Sequence, residues 1–261
     1  MINTLIHGAG RMARRVLAQL PEKENYVLAG VVSRTQPEDE LAGEWHASLE
    51  AFKASADLLI DFTLPEGTQK AAQWCALNGV ALLSGTTGLS EEDILVLRQA
   101  ALKVPVLWAP NLSHGVALMA ELIQRAAGAL GASANITITD IHHQHKVDAP
   151  SGTALALAAA VIEGRSERLV DLLDPVRLEG QSSDADGELV FSSIRENDVV
   201  GEHIVRFELP DEVIEVRHKA IDREVFAKGA LKAGEWLVQQ QPGYYSTSDW
   251  LDLWEGEDGS T

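Results

Sequence analysis

The chain has 261 residues, with 21 Lys and Arg against 39 Asp and Glu, a formal net charge of −18 and one cysteine. That length suits one large domain or two modest ones with proper cores, and 46% hydrophobic with 23% charged residues excludes a disordered chain. The acidity excludes nonspecific partnership with nucleic acid or anionic lipid, since both need a basic face.

The first third alternates two patterns. β-rich runs are expected at 3–7, 26–32, 58–62, 80–83 and 104–108, and helices at 12–20, 67–78 and 91–102. Strand and helix in turn at this spacing imply a parallel sheet covered by helices. Ser90-Glu91-Glu92-Asp93 reads as a helix start, with a hydroxyl cap followed by acids at the positive end of the helix dipole. From about Ser113 the rhythm changes. A helix is expected at 116–130, a strand at 135–142, a polar loop to Pro150 and an Ala/Leu-rich helix at 151–163. Strand-like runs at 188–194, 203–209 and 213–218 follow without long helices between them, which implies an antiparallel or mixed sheet. A last helix is expected at 226–238, a polar loop at 181–187 and a frayed end at 255–261.

Cys75 alone cannot build an intramolecular disulfide and fits a reducing compartment. The start, Met-Ile-Asn-Thr-Leu-Ile-His, has no basic region followed by a long apolar stretch, so no signal peptide is expected. The longest apolar run, 154–162, falls well short of the ~18 residues of a membrane span. A cytoplasmic chain with no membrane partner is the expectation.

Gly8-Ala9-Gly10-Arg11-Met12-Ala13 follows the first strand and opens the first helix. In a dinucleotide fold the first glycine permits the tight turn and the second admits the pyrophosphate. The small last residue lets the helix pack on the strand, and the helix N–H groups face the phosphates. An ordinary βα turn that binds nothing would share the motif; the strand-turn-helix context favours the nucleotide. The second strand ends in Ser33 and Arg34, without the acid that grips a ribose 2′-hydroxyl, so NADPH is favoured or at least tolerated. The plain alternative for Arg34 is a solvated loop charge. The fold class read from these signals is α/β: an N-terminal Rossmann-like dinucleotide-binding domain followed by a second α+β domain built on a mixed sheet.

Three of the eight histidines fall within four positions, in His142-His143-Gln144-His145, with Lys146 next and Pro150-Ser151-Gly152-Thr153 opening a helix. Successive strand residues point to opposite sides, so His142 and His143 share a ligand only if the strand has ended. The Ser151-Gly152-Thr153 turn offers N–H groups and hydroxyls to a carboxylate or phosphate. Three readings stand side by side: a proton-transfer site on His and Lys, a zinc site on His142, His143 and His145 with no nearby cysteine and no standard spacing, and a polar loop with an ordinary cap.

His142-His143-Gln144-His145-Lys146-Val147-Asp148-Ala149-Pro150-Ser151-Gly152-Thr153-Ala154 closely resembles the signature of the dihydrodipicolinate reductase family, also called 4-hydroxy-tetrahydrodipicolinate reductases. Asp61-Phe62-Thr63-Leu64-Pro65-Glu66-Gly67, Gly85-Thr86-Thr87-Gly88, Ala109-Pro110-Asn111-Leu112-Ser113, Val200-Gly201-Glu202-His203 and Phe226-Ala227-Lys228-Gly229-Ala230 resemble family blocks in the family's order and span most of the chain.

The resemblance implies NADH- or NADPH-dependent reduction of 4-hydroxy-tetrahydrodipicolinate to tetrahydrodipicolinate in the diaminopimelate route to lysine. It implies His142 as acid/base, Lys146 as proton donor, His143 on the substrate, and Ser151, Gly152 and Thr153 around a substrate carboxylate. On the cofactor side it implies Gly8, Ala9, Gly10, Arg11 and Met12, then Ser33 with Arg34, then Gly85, Thr86 and Thr87, then Ala109, Pro110, Asn111 and Leu112. No metal is implied. It further implies a homotetramer assembled on the second domain, with 1–113 rejoined by 224–261 as the dinucleotide-binding domain and 114–223 as the substrate-binding and oligomerisation domain.

Departures from the family pattern are a glycine loop one residue shorter, Ser33 in place of an acid, and Gln144 where a basic residue is common. The alternatives weighed are an NAD(P)-dependent amino-acid dehydrogenase, which would not need this loop, and a non-catalytic nucleotide-binding regulator, which would not need His142 and Lys146. Residues 181–261 hold 18 acids and 7 bases, so most of the negative charge lies outside the signature loop.

Overall fold

The computed structural model describes residues 1–36, 44–165 and 187–251. The loop expected at 181–187, Gly187 excepted, and the frayed end expected at 255–261 lie outside the described residues. The chain divides into two units, Met1–Ser113 with Glu224–Thr261, and His114–Arg223.

In chain order the first unit carries β1 (Ile2–His7), α1 (Arg11–Gln19), β2 (Tyr26–Val32), β3 (Trp45–His46), β4 (Leu58–Asp61), α2 (Pro65–Asn78), β5 (Ala81–Ser84), α3 (Glu91–Ala100) and β6 (Pro105–Trp108). The second carries α4 (His114–Leu130), β7 (Asn135–His142), α5 (Gly152–Gly164), β8 (Leu189–Arg195), β9 (Gly201–Glu208) and β10 (Val213–Ala220). The chain then returns to the first unit with α6 (Glu224–Leu237), β11 (Gly243–Tyr245) and α7 (Thr247–Leu251).

Among the described residues the first unit is built on a seven-stranded parallel sheet, ordered β11-β6-β5-β4-β1-β2-β3. Its central strands are apolar on both faces, as a sheet covered on both sides requires. Alternation sends Ile6, Ile60, Leu83 and Leu107 against α1 and α6, while Leu5, Leu59, Leu82 and Val106 meet α2 and α3. Each such Leu or Ile contributes about 1.5–3 kcal/mol by burial. α3 starts on a capping box in which Ser90 and Asp93 exchange hydrogen bonds, as its sequence indicates. α2 starts at Pro65, two residues before the expected position, because proline's missing N–H costs nothing in a helix's first turn. β3 and β11 escape sequence reading: two or three residues carry no periodicity, and they form only because the sheet edges offer partners.

The second unit, again among the described residues, is built on a mixed sheet ordered β10-β9-β7-β8, with β7 and β8 parallel and the other pairs antiparallel. One face packs on α4 and α5 through Ile136, Ile138, Phe191, Val205 and Phe207 against Ile123, Leu157 and Val161. β7 alternates strictly, so Asp140 and His142 continue the buried series begun by Ile136 and Ile138. The core face of this sheet therefore ends in a carboxylate and an imidazole. Among the described residues no helix is long and apolar enough to cross a membrane.

Candidate active site

In the first unit β1 runs into the glycine turn. Gly8 has φ +109°, and a Cβ there would stand 2.6 Å from the Phe62 carbonyl oxygen, so only glycine fits this turn. Gly10 caps α1 without a side-chain hydrogen bond, and the first turn of the helix holds no acid. The first N–H groups of α1 are thus offered to an anion. Gly8, Ala9, Gly10, Ser33 and Arg34 line one cavity of about 480 Å³. Arg11 and Met12 form the first turn of α1 and are not part of that lining. The Ser33 hydroxyl donates to the Thr35 carbonyl (2.8 Å) and lies 3.2 Å from Trp45 Nε1, so it is engaged in the turn itself and Arg34 is the cation of the pair. Sequence reading missed Lys70, Glu50 and Glu66, which share the lining; Lys70 pairs with Glu66 at 2.6 Å. These residues fit the diphosphate and ribose of a nicotinamide dinucleotide.

The remaining cofactor candidates have distinct surroundings. Thr86 is buried and donates to Asp61 Oδ2 at 3.0 Å; Thr87 is exposed. Gly85 faces the Phe62 ring. Ala109 and Leu112 are buried in the first unit's core, so their side chains serve packing. Pro110 and Asn111 are half-buried, and Asn111 Oδ1 accepts from the Ser113 N–H at 2.9 Å. Asp61 itself, at the end of β4, has no solvent exposure and accepts from the hydroxyls of Thr63, Thr68, Ser84 and Thr86, with His7 Nδ1 3.0 Å away. Burial alone would raise its pKa, but His7 and the hydroxyls outweigh burial and hold the carboxyl below its usual range.

In the second unit β7 ends at His142, so the condition for His143 to turn toward the same side is met. His142 Nδ1 lies 3.1 Å from Asp140 Oδ2, and Asp140 also accepts from Ser193 Oγ (2.6 Å) and Arg195 Nη1 (3.0 Å). Register explains the cluster: Ser193 on β8 and His203 on β9 stand opposite Asp140, Arg195 stands opposite His142, and His218 on β10 stands opposite His203. Burial would raise the Asp140 pKa, but His142, Ser193 and Arg195 hold it well below the ordinary carboxylate range. His203 meets the His142 ring edge to face at 5.1 Å. Burial first, then His142, pushes His203 down to about 3 against the pull of Asp140, so it stays neutral.

Lys146 Nζ pairs with Asp148 at 2.8 Å, which holds that carboxyl low despite partial burial. Ser151 is the buried cap of α5: its Oγ accepts from the Ala154 N–H at 3.1 Å and lies 3.4 Å from His203 Nε2. Gly152 and Thr153 open the helix, and nothing lies within 4 Å of where a Cβ on Gly152 would be, so that position faces open space. Among the described residues no three His, Cys, Asp or Glu side chains gather as a metal site. Asp140, Ser193, Arg195 and His203 escaped sequence reading as site residues; the period-two spacing of Asp140 and His142 was the available signal.

A doubly wound sheet with a glycine turn in one unit, and imidazoles and a lysine in the loop that leads to a helix start in the other, define a nicotinamide-dependent oxidoreductase. Residues 2–112 match the family model for the dihydrodipicolinate reductase N-terminus, and residues 115–251 match that for its C-terminus. The 4-hydroxy-tetrahydrodipicolinate reductase of Alkalilimnicola ehrlichii is 41% identical over 95% of this chain and 98% of its own. That of Zymomonas mobilis is 39% identical over 95% and 96%. The solved dipicolinate-bound dihydrodipicolinate reductase from a Paenisporosarcina species superposes with a TM-score of 0.73 at 23% identity, over 94% of this chain and 97% of that one. The chain belongs to the dihydrodipicolinate reductase family.

Proposed function

We propose that this chain reduces 4-hydroxy-tetrahydrodipicolinate to tetrahydrodipicolinate, in the diaminopimelate route to lysine. The observation that carries the reading is the complete loop 142–154, running from the end of β7 to the start of α5, with His142 and Lys146 each against its own carboxylate. A bound nicotinamide supplies the hydride. His142 acts as acid/base and Lys146 donates a proton, the two side-chain types suited to moving protons beside an anionic substrate. His143 contacts the substrate, and Gly152 and Thr153 receive a substrate carboxylate on the helix N–H groups, with Ser151 holding the helix start in place. Charge-assisted hydrogen bonds of this kind contribute roughly 1.5–3 kcal/mol each.

The cofactor is NADPH or NADH, with Arg34 favouring the 2′-phosphate. Gly8 to Met12, Ser33 with Arg34, residues 85–87 and residues 109–112 form the cofactor side, and the unit 114–223 is the substrate-binding and oligomerisation domain. The protein works in the cytoplasm as a homotetramer joined through its mixed sheet, on which Ile194 and Val213 are exposed. The test is NADPH and NADH oxidation on addition of 4-hydroxy-tetrahydrodipicolinate made in situ by dihydrodipicolinate synthase. A folded sample inert with both cofactors would sink the reading. Light scattering on the same sample reports the assembly.

A further inference from the structure

We propose that Asp140 is a positioning residue for His142, and that Arg195 extends its hold to the loop that carries Lys146. The proposal rests on the roles given above to His142 and Lys146. Asp140 has no solvent exposure, and it reaches His142 by the simplest route a strand provides, two residues along the same face. Its Oδ2 takes His142 Nδ1, so the ring presents Nε2. A nitrogen bound to a fixed anion carries the proton, which leaves the other nitrogen as the one that exchanges protons.

The space beside Nε2 is kept by Gly201. A Cβ at that position would stand 3.2 Å from His142 Nε2, so any side chain there would crowd the nitrogen left for chemistry. The ring is also met edge to face by His203, whose neutrality adds no competing charge. Asp140 is itself held from two directions, by Ser193 on Oδ1 and by Arg195 on Oδ2.

Arg195 uses its fork twice. Nη1 donates to Asp140 and to the Ile194 carbonyl (2.8 Å), and Nη2 donates to the backbone carbonyl of Asp148. The Asp148 carboxylate is the partner of Lys146. One planar guanidinium thus ties the strand that carries His142 to the loop that carries Lys146, and a lysine ammonium has no second arm in that plane. A buried ion pair placed only for packing would need neither the aim at Nδ1 nor the reach to residue 148.

The experiment uses the full chain and follows kcat, KM and the histidine ring tautomer for Asp140→Asn, Asp140→Glu, Ser193→Ala and Arg195→Lys. The titratable and charged groups around His142 are Asp140 on its own strand, Arg195 on β8, His203 on β9 with His218 beyond it, and His143 and Lys146 in the following loop. Asp140→Asn is expected to lower kcat by about 10²-fold with the NADPH KM unchanged. Nitrogen-15 NMR of the histidine ring changes from one tautomer to a mixture. Asp140→Glu recovers part of the rate, and Arg195→Lys lowers kcat while raising the substrate KM. If Asp140→Asn fails to fold, Ser193→Ala decides, with the same change of tautomer expected on a smaller scale.

A folded Asp140→Asn with native kcat and tautomer overturns the proposal, as does Ser193→Ala with a native tautomer should it be the deciding variant. If His142→Ala is inactive beside such an Asp140→Asn, the reading of His142 stands and only the proposal falls. Near-native turnover by His142→Ala overturns both.

Discussion

Thr86 Oγ1 donates to Oδ2 of Asp61 over 3.0 Å, at the floor of the turn that follows β5. The same oxygen accepts from Ser84 and Thr68, and Trp108 Nε1 donates to the Thr86 carbonyl at 2.9 Å. The turn after β5 is thereby tied to the end of β4 by buried groups and to the end of β6 by the half-buried Trp108. Asp61→Ala would leave those hydroxyls without their acceptor. It is expected to cost about 3 kcal/mol or more of stability, since each stranded buried donor is expensive. Denaturant unfolding of the variant checks this, and unchanged stability would mean the hydroxyls find other acceptors.

Acid should destabilise the protein in two windows. His203 binds a proton near 6.5 when unfolded but only near 3 when folded, so its contribution is present above pH 6.5 and is lost as pH falls toward 3. Asp61 and Asp140 have folded values below the ordinary 3.8, so their contributions are present above that value and are lost as pH falls beneath it. Unfolding free energy measured from pH 7.5 to 4 should therefore decline before the carboxylates titrate. His203→Asn should flatten that early decline; an unchanged slope would assign it to another group.

His142→Ala and Lys146→Ala are each expected to lower kcat by about 10² or more, with little effect on cofactor binding, because proton transfer contributes on that scale. Steady-state kinetics beside a cofactor titration separates the two effects. Near-native turnover in either variant removes that residue from the mechanism.

Arg34→Ala should weaken NADPH roughly tenfold more than NADH, the loss of one charge-assisted contact to a 2′-phosphate. Equal losses for the two cofactors would show that Arg34 does not read the phosphate. Lys70 lines the same cavity and is paired with Glu66, so Lys70→Ala is the natural second arm of that titration.

Gly8→Ala meets both a positive φ and a backbone oxygen 2.6 Å from the new carbon. The strain is of the order of 1–3 kcal/mol, and the turn must shift to relieve it. Cofactor affinity should fall along with Tm; a variant with native affinity for both cofactors would separate this turn from the nucleotide site.

Much of this protein is written locally. The alternation of apolar strands with helices, the glycine turn after β1, the capping box at Ser90 and the loop from His142 to Thr153 are all short-range patterns, and each depends on backbone geometry that a few neighbouring residues determine. Even the placing of Asp140 and His142 on one face follows from the two-residue period of a strand. The net charge of −18, by contrast, says nothing about the substrate, since most of it lies in 181–261, away from that loop.

What only the tertiary structure decided is who meets whom. Ser193 and Arg195 reach Asp140 from more than fifty residues away, and His203 faces it from a third strand, because sheet register sets those neighbours. Register is a property of paired strands and is not visible in any one of them. For the same reason Thr63, Thr68, Ser84 and Thr86 look like scattered hydroxyls in the sequence, yet all of them donate to one buried carboxylate in the fold.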